Sequence, residues 1–238
     1  VLRHGEPGGR ELLNFVVRRN EEYEMSIKPH QSLTRVLCFL IKAQIAVLVV
    51  AVLAGIWDFY SYSTLPNDVD ASEVLLPSDV AVAIVGLVQF VVALLTAVTF
   101  LRWVYRSNKN LRTLSGYEMQ FTPGWSVGWY FIPFANLFKP YQLMKEIWNV
   151  SHRTQSGSCA IVGWWWALSI ASNVLARIAL KAVMRADSAT SYASSAMAFI
   201  VSDGLDVVLN IVSLFMVSRI GNAYAQNIVE PSDAADSR

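Results

Sequence analysis

Residues 80–103 read VAVAIVGLVQFVVALLTAVTFLRW, and the only polar side chains before Arg102 are Gln89, Thr96 and Thr99. At about 1.5 Å of rise per residue, a helix over this stretch crosses the roughly 30 Å hydrocarbon core of a bilayer. A helix apolar on every side must be covered on every side, and here lipid is the natural cover. Three further stretches have the same length and character: Val36–Trp57, Val162–Val183 and Met197–Val217. The first carries Lys42 and Gln44 near its start, where a lysine can snorkel to the headgroups. The predicted fold is therefore all-α, a polytopic bundle of four transmembrane helices.

Composition agrees. The chain has 238 residues, 54% of them hydrophobic and 16% charged, with a mean hydropathy of +0.39. A soluble domain carries about 25% charged residues. A net charge of +1 removes bulk electrostatics as a means of binding nucleic acid. Cys38 and Cys159 are too few for a disulfide framework or a zinc site and read as small hydrophobes. His4, His30 and His152 share no ligand-like spacing and sit in polar flanks, so neither a metal nor a cofactor is expected.

Lysines and arginines orient the spans. Arg3, Arg10, Arg18, Arg19, Lys28 and Arg35 precede the first, whereas the first connection holds Asp58, Asp68, Asp70, Glu73 and Asp79 and no basic residue. The second connection carries Arg102, Arg106, Lys109, Arg112, Lys139, Lys145 and Arg153, and Arg219 and Arg238 follow the last span. Both termini and the central segment are expected on the cytoplasmic side, against the dissent of Arg177, Lys181 and Arg185. Aromatics suit the two boundaries: Trp57, Tyr60 and Tyr62 outside, Trp103, Tyr105 and Trp164–Trp166 inside. The organisation expected is a leader over 1–35, a transmembrane domain over 36–217 and a tail over 218–238. The leader reads as a short helix, or in its first 24 residues as sequence upstream of Met25. The first apolar block exceeds the ~7–15 residues of a secretory signal.

Residues 104–161 form the distinctive connection. Arg102, Arg106 and Lys109 continue the second helix along one side until Gly116 ends it, and Pro123-Gly124 opens a new element. Trp125–Phe138 is apolar but too short to span and is broken by Gly128 and Pro133, which predicts a re-entrant or interfacial segment. From Pro140, Tyr141, Met144, Ile147 and Trp148 share one helical face against Lys139, Gln142, Lys145 and Asn149. Such a helix lies in the headgroup plane or packs on the bundle's cytoplasmic ends.

The same segment carries Trp103-x-Tyr105-Arg106-x-x-x-Asn110, Pro123-x-Trp125, Gly128-Trp129, Pro133-x-x-Asn136-Leu137-x-x-Pro140 and Glu146-x-Trp148-x-x-Ser151. In these motifs the chain resembles a bacterial membrane family known as domain of unknown function 4328, from about residue 80 to 220. The resemblance excludes the leader and the acidic loop. It implies a protein of the bacterial inner membrane and brings no activity or catalytic residue to transfer. Structurally, Glu146 would pair with Arg106 or Arg102, and Asn136 would tie backbone freed by Pro133. Functionally, Arg102, Arg106, Lys109 and Asn110 would hold a lipid phosphate while Trp125, Trp129 and Trp148 line a cleft.

Polar stripes mark the last two spans: Ser169, Asn173 and Arg177 at steps of four, then Asp203, Asp206 and Asn210 at steps of three and four. An antiparallel hairpin about residue 190 would bring Arg177 to Asp203, Asn173 to Asp206 and Ser169 to Asn210. This is an interhelical staple or an ion site, since Arg177 neutralises only one aspartate. No HExxH, GxSxG, P-loop or CxxC is present, so no enzyme is expected. The function expected is a module binding membrane lipids, anionic ones in particular, or a protein partner. The alternative is a small homo-oligomeric transporter of protons, cations or solutes built on the intramembrane stripe.

Overall fold

The computed structural model describes residues 9–66, 71, 74–115, 117–153 and 159–226, with side chains from His30 onward except that of Leu114. Among these, helices α1 (Gly9–Ser63), α2 (Pro77–Leu114), α3 (Pro123–Gly128), α4 (Lys139–Ser151), α5 (Ala160–Val183) and α6 (Ala189–Tyr224) follow one another, with a 3-10 turn at Ala135–Leu137 and no strand. Four of them, α1, α2, α5 and α6, are long and apolar enough to cross a membrane. His4, Asp68, Asp70, Glu73 and most of the expected tail lie outside the described residues.

Three of these helices overrun the expected spans. The first span is the last part of a helix that already begins at Gly9 and runs on through Pro29. The α2 helix leaves the apolar stretch and continues to Leu114, just short of Gly116 as expected. The α6 helix starts at Ala189, well before Met197. Its start is set by a reciprocal cap in which Ser191 Oγ accepts the Ser188 N–H at 2.9 Å and Ser188 Oγ accepts the Ser191 N–H at 3.4 Å. At the opposite end of α2, Asp79 fills the same need. Its carboxylate accepts the Leu76 N–H and the Tyr62 hydroxyl, both at 2.8 Å, where the helix dipole favours a negative charge.

The α1 helix is the hub. It packs along both α2 and α6, and α5 packs on α6. Two glycines bring α1 and α6 together near their ends. A Cβ on Gly55 would meet Ile200 Cγ1 at 3.0 Å, and one on Gly221 would meet Thr34 Cγ2 at 2.9 Å. Thr34 is itself tethered, since its Oγ1 receives the Trp103 indole N–H at 3.0 Å and donates to the His30 carbonyl at 3.0 Å. Trp103, expected in the boundary belt, is instead fully buried in this junction. Tyr62 and Trp165 are buried too, while Trp57, Tyr60, Tyr105 and Trp164 keep the exposed positions of a belt. Trp103 and Tyr62 each reach an acceptor on the neighbouring element, so the interior satisfies their polar ends.

The main core sits at the end of the bundle where α1 begins its span and α6 ends. Leu37, Trp103, Leu143, Ile147, Val217 and Ile220 meet there, joining α1, α2, α4 and α6. His30 belongs to this core rather than to a polar flank, its ring 4.6 Å from that of Tyr224 and 6.2 Å from that of Trp103. By contrast, the most apolar window of α2 is 0% buried. Lipid tails are as apolar as leucine, so the mid-membrane stretch gains little by leaving them.

The Gly221 contact makes a prediction. Gly221→Ala should lower thermal stability in detergent, by about 1–3 kcal/mol for a methyl forced against a side chain that cannot turn away. Gly163→Ala, with nothing within 4 Å of the new Cβ, should hold or raise it. Equal melting temperatures for the two variants would show that α1 and α6 are not in close contact at Thr34.

Candidate functional site

Past the apolar stretch, α2 divides cleanly by helical period. Trp103, Val104, Ser107, Asn108, Asn110 and Leu111 are buried, and Arg102, Tyr105, Arg106 and Lys109 are exposed. The inward side organises the segment that follows. Asn108 Nδ2 donates to the Phe121 carbonyl at 3.0 Å, and Arg112 Nη2 donates to the carbonyls of Met119 at 2.7 Å and Phe121 at 3.1 Å. Opposite them, Glu146 Oε1 accepts the Gln120 N–H at 2.6 Å, and the Phe121 N–H also favours its charged form.

Glu146 therefore serves backbone N–H groups, with Arg112 as its nearby cation, instead of pairing with Arg102 or Arg106. Asn136 is exposed, and the role of holding irregular backbone falls to Asn108 and Arg112. The expected pairing failed because Arg102 and Arg106 face outward, whereas α4 packs on the inward side. Burial pushes the Glu146 carboxyl above its ordinary value, against the pull of the Gln120 and Phe121 N–H groups and Arg112.

The α4 helix spends its apolar face on the protein. Leu143, Met144 and Ile147 are fully buried, so this helix packs on the bundle's end. Trp148 stacks on His152, with ring centroids 4.2 Å apart. Ser151 and His152 both turn to the Trp148 carbonyl, Oγ at 2.9 Å and Nδ1 at 2.9 Å. The apolar surface left outward lies between α3 and α4: Phe131 is 71% exposed and Phe134 83%, with Trp125, Leu137 and Phe138 also exposed. Phe134 adopts a left-handed backbone (φ 64°), which a phenylalanine takes at a cost. The Tyr130 hydroxyl and Trp129 Nε1 beside it are buried with no hydrogen-bond partner among the described residues, and burial raises the Tyr130 phenol's pKa.

Of the residues expected to bind a phosphate, Arg102 and Arg106 come together in a groove of about 480 Å³ floored by Val98, Leu101, Tyr105 and Val127. Lys109 is exposed near one turn further along α2. Trp125 and Trp129 flank Val127 on α3 and its end, their rings 4.8 Å apart, and Lys139 Nζ lies 5.7 Å from the Trp129 ring centre. Asn110 is on the buried side of α2, and Trp148 is taken up by His152.

The intramembrane stripe is rearranged. Ser172 Oγ donates to Asp206 Oδ1, and Gln89 Nε2 from α2 donates to Asp203 Oδ1 at 3.0 Å. Asn173 and Asn210 bond back to the carbonyls of Ser169 and Asp206, each at 2.8 Å. Ser169 likewise bonds back, to the Trp165 carbonyl. Arg177 is exposed and forms no ion pair among the described residues. The α5–α6 register is thus one residue away from the expected one at Asp206, and one residue is about 100° of helix rotation. Ser172, absent from the expected stripe, is the residue that faces Asp206. Among the described residues no three of His, Cys, Asp and Glu gather as a metal site would need.

Glu146 yields a paired prediction. Glu146→Ala should cost about 1–3 kcal/mol, since it strands the Gln120 and Phe121 N–H groups. A carboxyl raised on folding disfavours the folded state once ionised. Stability should therefore be highest below the ordinary carboxyl pKa and fall as pH rises through the raised value. Glu146→Gln should remove that slope in melting curves taken across the acid range; an unchanged slope would mean the carboxyl is not buried as described.

The sequence pattern of the family described as domain of unknown function (DUF4328) matches residues 67–222. The match starts within the acidic connection, earlier than the resemblance near residue 80 suggests, and takes in all of α2 to α5 and α6 as far as Asn222. No curated protein and no solved structure matches the chain. With well over half its length inside that match, the chain belongs to the DUF4328 family.

Proposed function

We propose that this protein is a non-enzymatic module of the bacterial inner membrane, with both termini cytoplasmic, that holds an anionic lipid headgroup at Arg102 and Arg106. The observation that carries this reading is the groove itself: two exposed arginines one turn apart above an apolar floor. A guanidinium fork suits a phosphate, and the floor suits the upper part of an acyl chain. The exposed Phe131, Phe134 and Phe138 lie in the adjoining segment and would sit among the headgroups as an aromatic anchor. The orientation follows from the basic residues flanking that end of the bundle. The stripe-based transport alternative retains Asp206 and Asn210, which line a shared cavity, whereas Asn173 and Arg177 lie outside it.

Native mass spectrometry on protein extracted in polymer nanodiscs tests the lipid reading. Wild-type protein should retain phosphatidylglycerol or cardiolipin. Arg102→Gln with Arg106→Gln should reduce retention by about tenfold or more, at roughly 1 kcal/mol per basic residue. Lys181→Gln, on the far end of α5, should leave it unchanged. Equal retention in the double variant would overturn the proposal, and a stoichiometric protein in place of lipid would redirect it to a protein partner.

A further inference from the structure

The α2 helix leans on α1, yet meets α5 and α6 chiefly through side chains such as Gln89 on Asp203 and Phe100 on Trp165. The space between them is a cavity of about 530 Å³, the size of a small-molecule site. Its α2 wall, with Gly86, Phe90 and Ala97, is exposed on the outside of the bundle, so the cavity opens sideways towards lipid. Its inner wall sets Gln44, Asp206 and Asn210 among Leu37, Ile41 and Trp165. Gln44 on α1 is 6% exposed, and its Oε1 has no hydrogen-bond partner among the described residues. Asp206 on α6 lines the same cavity; Ser172 occupies its Oδ1, while Oδ2 takes no hydrogen bond among the described residues.

We infer that this cavity binds an amphiphilic primary amine that enters from the bilayer, its ammonium held by Asp206 and Gln44 and its chain leaving past Phe90. The unused atoms choose the chemistry. Asp206 Oδ2 is an acceptor, and the Gln44 amide beside it can turn its oxygen to the same ligand, so the ligand must donate. No lysine or arginine lines the cavity, so a carboxylate there calls for a positive donor more than a neutral one. A bare metal cation would want six or more oxygens around it, and aromatic and aliphatic side chains make up much of this wall. Phe100 and Trp165, by contrast, bring to the lining aromatic rings of the kind an ammonium favours. This site is separate from the Arg102–Arg106 groove and does not rest on the lipid reading.

The test is the unfolding temperature of the full chain in phosphatidylcholine nanodiscs, titrated with decylamine and, in parallel, with decanol at equal bilayer loading. Decylamine should raise it saturably and decanol should not. Asp206→Asn should shift half-saturation by about tenfold or more, the scale of one charge-assisted hydrogen bond. Asp203→Asn, whose partner Gln89 holds it outside the cavity lining, should stay within about twofold. Equal stabilisation by amine and alcohol, or an Asp206→Asn curve matching wild type, would overturn the inference. Should Asp206→Asn fail to fold, Gln44→Leu decides: severalfold weaker decylamine response supports the site, and an unchanged one overturns it.

Discussion

Thr34 holds the bundle at the end where α1 enters its span and α6 finishes. Its hydroxyl receives the Trp103 indole from α2, passes its own proton to the His30 carbonyl, and turns its methyl to the bare backbone of Gly221 on α6. Each of these needs the others. An indole N–H inside a core must find an acceptor. A threonine with both hydrogen-bonding roles filled has one rotamer, and a methyl fixed in that rotamer leaves room only for glycine opposite. From this junction spread the His30–Tyr224 contact, the burial of Leu37 and Ile220, and the seat for α4.

Concentrating the packing at one end shapes what remains. Hydrophobic burial stabilises where water is the alternative, at the boundary and beyond it, and does little between lipid tails. The core accordingly gathers around Trp103, Leu143 and Val217, while the middle of α2 is left to the bilayer. Two consequences bear on function. With the apolar face of α4 already buried, the outward apolar surface of the central segment is the aromatic run around Phe131 and Phe134. With α2 held away from α5 and α6, a cavity persists, and polar side chains that would be costly in lipid line it or bridge the helices beside it.

Legibility follows range. The four spans depend on residue type over a window and could be read along the chain, as could the end of α2 near Leu114. Arg102 and Arg106 share a groove because they are one turn apart on one helix. Gln44 and Gln89 stood out as polar residues in apolar runs, but nothing along the chain said that Gln89 would meet Asp203 while Gln44 Oε1 takes no partner among the described residues. Glu146 reaches Gln120 across 26 residues, and Trp103 reaches Thr34 across 69. Such partners depend on how separate elements dock.

Hydropathy and charge by themselves determined a helical membrane protein, its span count and the outward arginine pair, because each is set by local composition and the helical period. Tertiary structure decided the partners. A one-residue change of register on α5 turns a helix face by about 100° and replaces Asn173 with Ser172 at Asp206. Periodicity defines a stripe on one helix to within such a rotation, and only the packing of α6 against α1, through Gly55 and Gly221, leaves that rotation no freedom.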